Sequence, residues 1–148
     1  MPKIDLTSIP QTNTTSYPPA YADVVAGRWY RRLAPASGIT DFGASHVVLK
    51  PGAWSAQRHW HEDEDELVVM LAGEAVLVDD SGESLMPAGA IAVFPKGDRN
   101  GHCLRNDSEA DCYLAIGRAP AGACHYPDID MHLPAGGGFT RNDGSGFG

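Results

Sequence analysis

From Gly27 onward, apolar and polar residues alternate in short runs: RWYRRLA, ASHVVLK, WSAQRHWH, ELVVMLAG, EAVLVDD, IAVFP, GHCLRN and DCYLAIG. A period of two, rich in β-branched and aromatic residues, predicts strands. Turn chemistry separates the runs, at Pro35 to Gly38, Pro51-Gly52, Ala72-Gly73, Asp80-Ser81-Gly82, Pro87-Ala88-Gly89, Lys96-Gly97-Asp98 and Asn106-Asp107-Ser108. No internal segment sustains a helical period with caps. Many short strands at regular spacing predict an all-β sandwich or barrel. Residues 1–26, rich in Ser, Thr, Pro and Tyr without a period, predict an extended N-terminal arm. After Pro120 the pattern thins, and LPAGGGFTRNDGSGFG reads as coil or a loosely attached tail. The expected division is an arm at 1–26, a barrel at 27–120 and a C-terminal extension at 121–148.

Composition narrows this picture. A chain of 148 residues is the size of one domain with a core of its own, and 17 glycines with 11 prolines agree with many turns. The formal net charge is -8, and no basic run exceeds Arg31-Arg32, which excludes a nucleic-acid footprint. The text before Gly27 has neither the length nor the period of a helix-turn-helix. No apolar stretch approaches the roughly 20 residues of a membrane span. The polar N-terminus lacks the apolar centre of a secretion signal, so a cytoplasmic protein is expected. Three cysteines without a CxxC spacing suit a reducing compartment. Cys103 and Cys112 read as small buried hydrophobes. Cys124 stands beside His125, but neighbours on an extended chain point to opposite faces, which makes them a poor thiol–imidazole pair.

The stretch with chemistry is QRHWHEDEDELVVMLAG, Gln57 to Gly73. On a strand His59 and His61 point the same way, about 6 to 7 Å apart along the backbone, and their rings can converge on one ion. On a helix the same spacing would put them on nearly opposite sides. Trp60 then faces away. Glu66 shares a face with Val68 and Met70 and belongs to the next strand, whereas Glu62, Asp63, Glu64 and Asp65 read as a solvated turn. From the residues alone, a metal chelate and a merely charged turn both remain open. Gln57 shares the facing of the two histidines and is either a ligand-orienting group or a buried, hydrogen-bonded glutamine. His46, His125 and His132 read as structural or surface histidines, and Val68, Met70 and Phe94 as core filling.

Gly52, His59, His61, Glu66 and Gly73 stand as G-x6-H-x-H-x4-E-x6-G, which closely resembles the first signature motif of the cupin superfamily. Gly89, Pro95, Gly97, His102 and Asn106 resemble the second. Four residues, Asp98 to Gly101, stand between Gly97 and His102 where the usual motif has two; an even insertion can be absorbed by a turn without reversing strand faces. With the text HYPDIDM, the longer loop is similar to a subgroup of small bacterial cupins.

The resemblance implies a single cupin barrel, a double-stranded β-helix or jelly roll, carrying one divalent transition metal on His59, His61, Glu66 and His102. Ligand type does not choose among Fe, Mn, Ni, Zn and Co. An octahedral ion on four protein ligands keeps two positions open. The implied activity is a metal-dependent enzyme on a small polar or anionic molecule, of isomerase or epimerase type or of dioxygenase type. A small-molecule-binding barrel without turnover and a structural metal barrel are the alternatives. Arg99, in the longer loop, is either a clamp for an anionic substrate or a solvated arginine. Small cupins are commonly dimers, and an arm carrying Tyr17, Pro18, Pro19 and Tyr21 suits packing across an edge strand, so a homodimer is expected.

Overall fold

The computed structural model describes residues 3–118 and 122–148; the expected boundary at 120/121 lies outside the described residues. Along the chain run β1 (Arg28–Arg32), β2 (Gly43–Leu49), β3 (Trp60–His61), β4 (Glu66–Ala72), β5 (Glu74–Asp79) and β6 (Gly82–Pro87). They are followed by β7 (Ile91–Phe94), β8 (Cys103–Arg105), β9 (Cys112–Arg118), β10 (Cys124–His125) and β11 (His132–Leu133). The period-two runs thus become strands, except WSAQRHWH, which is strand only at Trp60–His61 and otherwise bends between isolated bridges at Trp54 and His59. GESLMP, which lacks a β-branched residue, becomes β6 because the turn at Asp80-Ser81 folds it back on β5, with Asp79 opposite Gly82. The Asp79 carboxylate secures that turn by accepting from the Ser81 amide at 2.8 Å and hydroxyl at 2.6 Å. The turn expected at Pro35 to Gly38 ends a short helix, Leu33–Ser37, closed by Gly38 in the left-handed region.

β1-β2-β9-β4-β7 form one antiparallel sheet. Two three-stranded sheets, β6-β5-β8 and β11-β10-β3, are joined by the isolated bridges Trp54–Arg105 and His59–His102 into a second layer. The chain passes from the first layer to the second at Gly73, where φ is +72° and an added Cβ would meet the Asp111 carbonyl and the Cys112 side chain at 3.0 Å. Only glycine makes that corner without strain.

Registry decides what each end of the barrel contains. The side chains of Leu49, Leu114, Met70 and Leu104 fill one end and are essentially inaccessible to water, each full burial contributing about 1.5–3 kcal/mol. At the other end Gly43, Arg118, Glu66 and Phe94 stand in line across β2, β9, β4 and β7, and Arg32 lies opposite Ser45. The sheet is apolar at its base and polar at its mouth.

The arm lies on its own chain. Thr12 exchanges both backbone hydrogen bonds with Tyr30, at 3.1 and 2.8 Å, which covers the β1 edge. Tyr17 and Tyr21 then join Tyr126, Met131, Phe139 and Phe147 in a second apolar cluster. The C-terminal segment, expected as coil or a loose tail, is therefore tied down: Met131 is fully buried, Thr140 pairs with His132, and Arg58 grips Asp128 through two 2.8 Å bonds. Its aromatic residues are too widely spaced to leave a periodic signal and meet only after the barrel has formed.

Candidate metal centre

β3 and the bridge before it set the two histidines. His59 and His102 exchange backbone bonds at 3.0 and 2.8 Å, fixing both positions across two strands. Trp60 turns outward and stacks on His125 with centroids 4.2 Å apart, so the expected alternation of faces holds. His102 lies flat against Phe94, centroids 3.5 Å apart. The four-residue spacer, two longer than the usual motif, is accommodated outside the barrel. Asn100 accepts from the Asp80 amide at 2.8 Å, and Gly101 runs so close to Pro127 that a Cβ would approach it to 2.9 Å.

The four expected residues converge. The Glu66 Oε2 atom is 3.0 Å from His61 Nε2, 3.4 Å from His102 Nε2 and 3.6 Å from His59 Nε2, and the Nε2 atoms of His59 and His61 are 3.1 Å apart. The outer nitrogens face acceptors: His59 Nδ1 is 2.8 Å from the Gln57 carbonyl and His102 Nδ1 is 3.3 Å from the Asn100 carbonyl. An imidazole that donates from Nδ1 presents a lone pair at Nε2. Lone pairs converging on one carboxylate oxygen repel unless a cation lies among them, so the donor set fits a divalent metal. Burial opposes ionisation of Glu66, yet the three imidazoles hold its carboxyl well below the usual range. Burial holds His102 below the ordinary histidine value, favouring the neutral ring that ligates.

Glu64 corrects the reading of the acidic run. It is 4% exposed, its Oε1 accepts from the Gly122 amide at 2.7 Å, and its Oε2 lies 3.1 Å from His61 Nδ1 and 3.3 Å from Arg118 Nε. His61 Nδ1 and Glu64 Oε2 are both buried and have no hydrogen bond elsewhere among the described residues, so each is set to be the other's partner. The other acids of the run stay at the surface, where Glu62 pairs with His125 at 2.6 Å and Asp65 accepts from the Lys96 amide at 2.9 Å. No periodicity marks Glu64; the turn carries it inward three residues beyond His61.

Gln57 and Arg99 stand apart from the ion site. The Gln57 side chain donates to the Tyr21 carbonyl at 2.9 Å, so it ties the arm to the barrel while its own carbonyl orients His59. Arg99 is exposed and lies 6.0 Å from the Trp60 ring centroid, on the outward face. Asn106, the last motif residue, is a buried clamp whose Nδ2 donates to the Leu49 and Ala110 carbonyls, both at 2.8 Å.

The ligand cluster opens into a cavity of about 760 Å³. Its walls carry Arg28 and Arg32 of β1, Ser45 of β2 and Thr14 and Thr15 of the arm, with Arg118 beside Glu64. Tyr126, 5.9 Å from His59 between ring centroids, and Cys124 line it nearer the histidines. Cys124 faces inward, away from His125, and its sulfur with His59 and His61 forms a second possible ligand group. Burial pushes its thiol up to about 12, so Glu66 is the better anionic donor.

A two-layered β barrel with an inward histidine–carboxylate cluster that could hold a metal defines the class. A family model, Cupin domain, matches residues 45–116. The crystal structure of a sugar phosphate isomerase from a cupin superfamily of Silicibacter pomeroyi DSS-3 is 39% identical, over 99% of this chain and 97% of that one, with a TM-score of 0.93. The chain belongs to the cupin superfamily. A candidate sugar phosphate isomerase of Acidithiobacillus ferrooxidans, 22% identical over 76% of this chain and 74% of that one, has a TM-score of 0.71 and shares the fold. So does a Cupin 2 conserved barrel domain protein of Salinispora arenicola, at 24% identity over 64% of this chain and 76% of that one and a TM-score of 0.55. No curated protein matches the sequence. Among the described residues no helix is long and apolar enough to cross a membrane.

Proposed function

We propose that this chain is a metal-dependent isomerase of a small phosphorylated sugar, with His59, His61, Glu66 and His102 as ligands of one divalent transition metal. The observation that carries the reading is a single cavity joining the histidine–carboxylate cluster to a wall of arginines and hydroxyls. The likeness to the Silicibacter pomeroyi protein, described as a sugar phosphate isomerase, supports the same class of substrate. When bound, the metal would supply a Lewis acid for a sugar carbonyl or hydroxyl oxygen. Tyr17 and Tyr126 line the cavity, and burial raises both phenols, so both stay protonated at neutral pH. The apolar cluster behind them keeps water from that side of the cavity.

The arm at 1–26 and the extension at 121–148 act in this reading as walls of the barrel at 27–120, one functional unit. The assembly is a homodimer, supported by Leu67 of β4 and its neighbours Ile91 and Val93 of the edge strand β7, which are 42%, 62% and 64% exposed. Three buried free thiols suit a reducing compartment such as the cytoplasm.

The test is interconversion of aldose and ketose phosphates by metal-loaded protein, followed by NMR, with His59→Ala and His61→Ala as controls. Interconversion that both controls abolish supports the proposal. Binding of these compounds without turnover would point to a non-catalytic barrel, and substrate-dependent oxygen uptake to a dioxygenase.

A further inference from the structure

Arg28, Tyr30 and Arg32 alternate on one face of β1 and all line the cavity. Both guanidinium groups lean over the ring between them, 5.5 and 5.8 Å from the Tyr30 centroid. The Nη1 of Arg28 donates to the Ser55 carbonyl at 2.8 Å, but its Nε is buried without a partner among the described residues. Among the described residues no carboxylate lies within 4.0 Å of either arginine, in a chain of net charge -8 with 19 acids. The third arginine of the cavity, Arg118, is balanced by Glu64 at 3.3 Å. Positive charge is therefore left over on the β1 side of a cavity that Glu66 lines from β4, with β2 and β9 between the two strands in the sheet. Ser45 lies opposite Arg32 in register, and Thr14 and Thr15 add hydroxyls to the same wall.

We infer that Arg28 and Arg32, with the Ser45 hydroxyl, form the seat of a phosphate monoester. The inference rests on the isomerase reading for its substrate class and adds to it the orientation of the substrate. A guanidinium fork matches two phosphate oxygens, and a partly buried arginine with an idle Nε–H gains more from a dianion than from water. With the phosphate on the β1 side, the reacting carbons of the sugar extend toward His59, His61 and Glu66. A sugar bound in the reverse sense would set its phosphate against Glu66 and leave both guanidinium groups unpaired.

The experiment is calorimetric titration of metal-loaded wild type, Arg28→Met and Arg32→Met with inorganic phosphate, and with a hexose 6-phosphate against the same unphosphorylated hexose. Metal content, measured alongside, should be equal in all three, since neither arginine belongs to the ligand cluster. Arg32 is exposed, so its variant keeps the fold even if loss of the Arg28–Ser55 bond disturbs the other. Each variant should bind phosphate and the sugar phosphate about tenfold or more weakly, the cost of a lost charge-assisted hydrogen bond. The unphosphorylated hexose should bind all three alike. Unchanged phosphate affinity in Arg32→Met and Arg28→Met would overturn the seat and locate phosphate on the metal or elsewhere. Loss of phosphate binding in a protein that isomerises nothing would uphold the seat and sink the isomerase. Turnover of a sugar phosphate with KM unaltered in both variants would do the reverse.

Discussion

Replacing Glu64 by Gln tests the centre more sharply than removing a ligand. In Glu64→Gln the side-chain amide carbonyl can still accept from the Gly122 amide, where Glu64 Oε1 now accepts at 2.7 Å, so the turn should hold. The new NH2 then faces His61 Nδ1 in place of a carboxylate oxygen at 3.1 Å. Two donors cannot face each other in a site that is 4% exposed, so the ring must shift its proton to Nε2, the atom that points at Glu66. A protonated Nε2 is no ligand. Loss of such an outer partner costs about 10- to 100-fold in metal affinity, or roughly 1.4–2.7 kcal/mol. Glu66→Gln removes the carboxylate that lies within 3.6 Å of all three converging Nε2 atoms and should weaken binding further. Glu62→Gln should bind like wild type, because the Glu62–His125 pair is 46% and 32% exposed and surface pairs contribute about 1 kcal/mol or less. Competitive metal titration against a chromophoric chelator reads all of these. Wild-type affinity in Glu64→Gln would refute the argument about His61, and wild-type affinity in Glu66→Gln would show that the carboxylate ligand is wrongly assigned.

Elemental analysis of purified protein should find close to one divalent transition metal per chain, lost in His59→Ala; a wild type that stays metal-free after reconstitution would contradict the ligand set. Gly73→Ala should lower stability by about 1–3 kcal/mol in denaturant titration, because it adds a positive-φ strain and a 3.0 Å clash at the β4–β5 corner; a neutral result would mean that the corner moves freely. The Arg58 hydrogen bonds hold the Asp128 carboxyl below its ordinary value of 3.8, so this clasp stabilises the tail fully above that pH and is lost as pH falls through the lower folded value. Limited proteolysis should show the tail cut faster in that acid range, and Asp128→Asn should raise the rate to a similar, modest extent at neutral pH, because the buried Met131 and the aromatic cluster still hold the segment. Light scattering of the full chain should report a homodimer, and Val93→Lys should shift it toward monomer; a wild-type monomer would rule out the β7 interface.

Alternation by itself determined the strands, since a face buried against a core must be apolar every second residue, and β1, β2, β4, β5, β7, β8 and β9 follow from it. It also determined that His59 and His61 face together with Trp60 opposed, because two neighbours on an extended chain cannot share a face. The spacing of the two motifs selected Glu66 and His102, which meet in the structure with their nearest atoms 3.4 Å apart. Tertiary structure alone decided the rest. Glu64 is turned inward by a non-periodic turn that no pattern of residue types describes. β6 exists because a partner strand lies beside it. Gln57 reaches Tyr21, and the tail clasps the arm, through contacts between segments distant in sequence. Arg28 and Arg32 look like any surface arginines in RWYRRLA until β1 pairs with β2 and turns that face into the cavity. A local period reports which side of an element is apolar, whereas a site is made by the ends of several elements, and only their packing sets which ends meet.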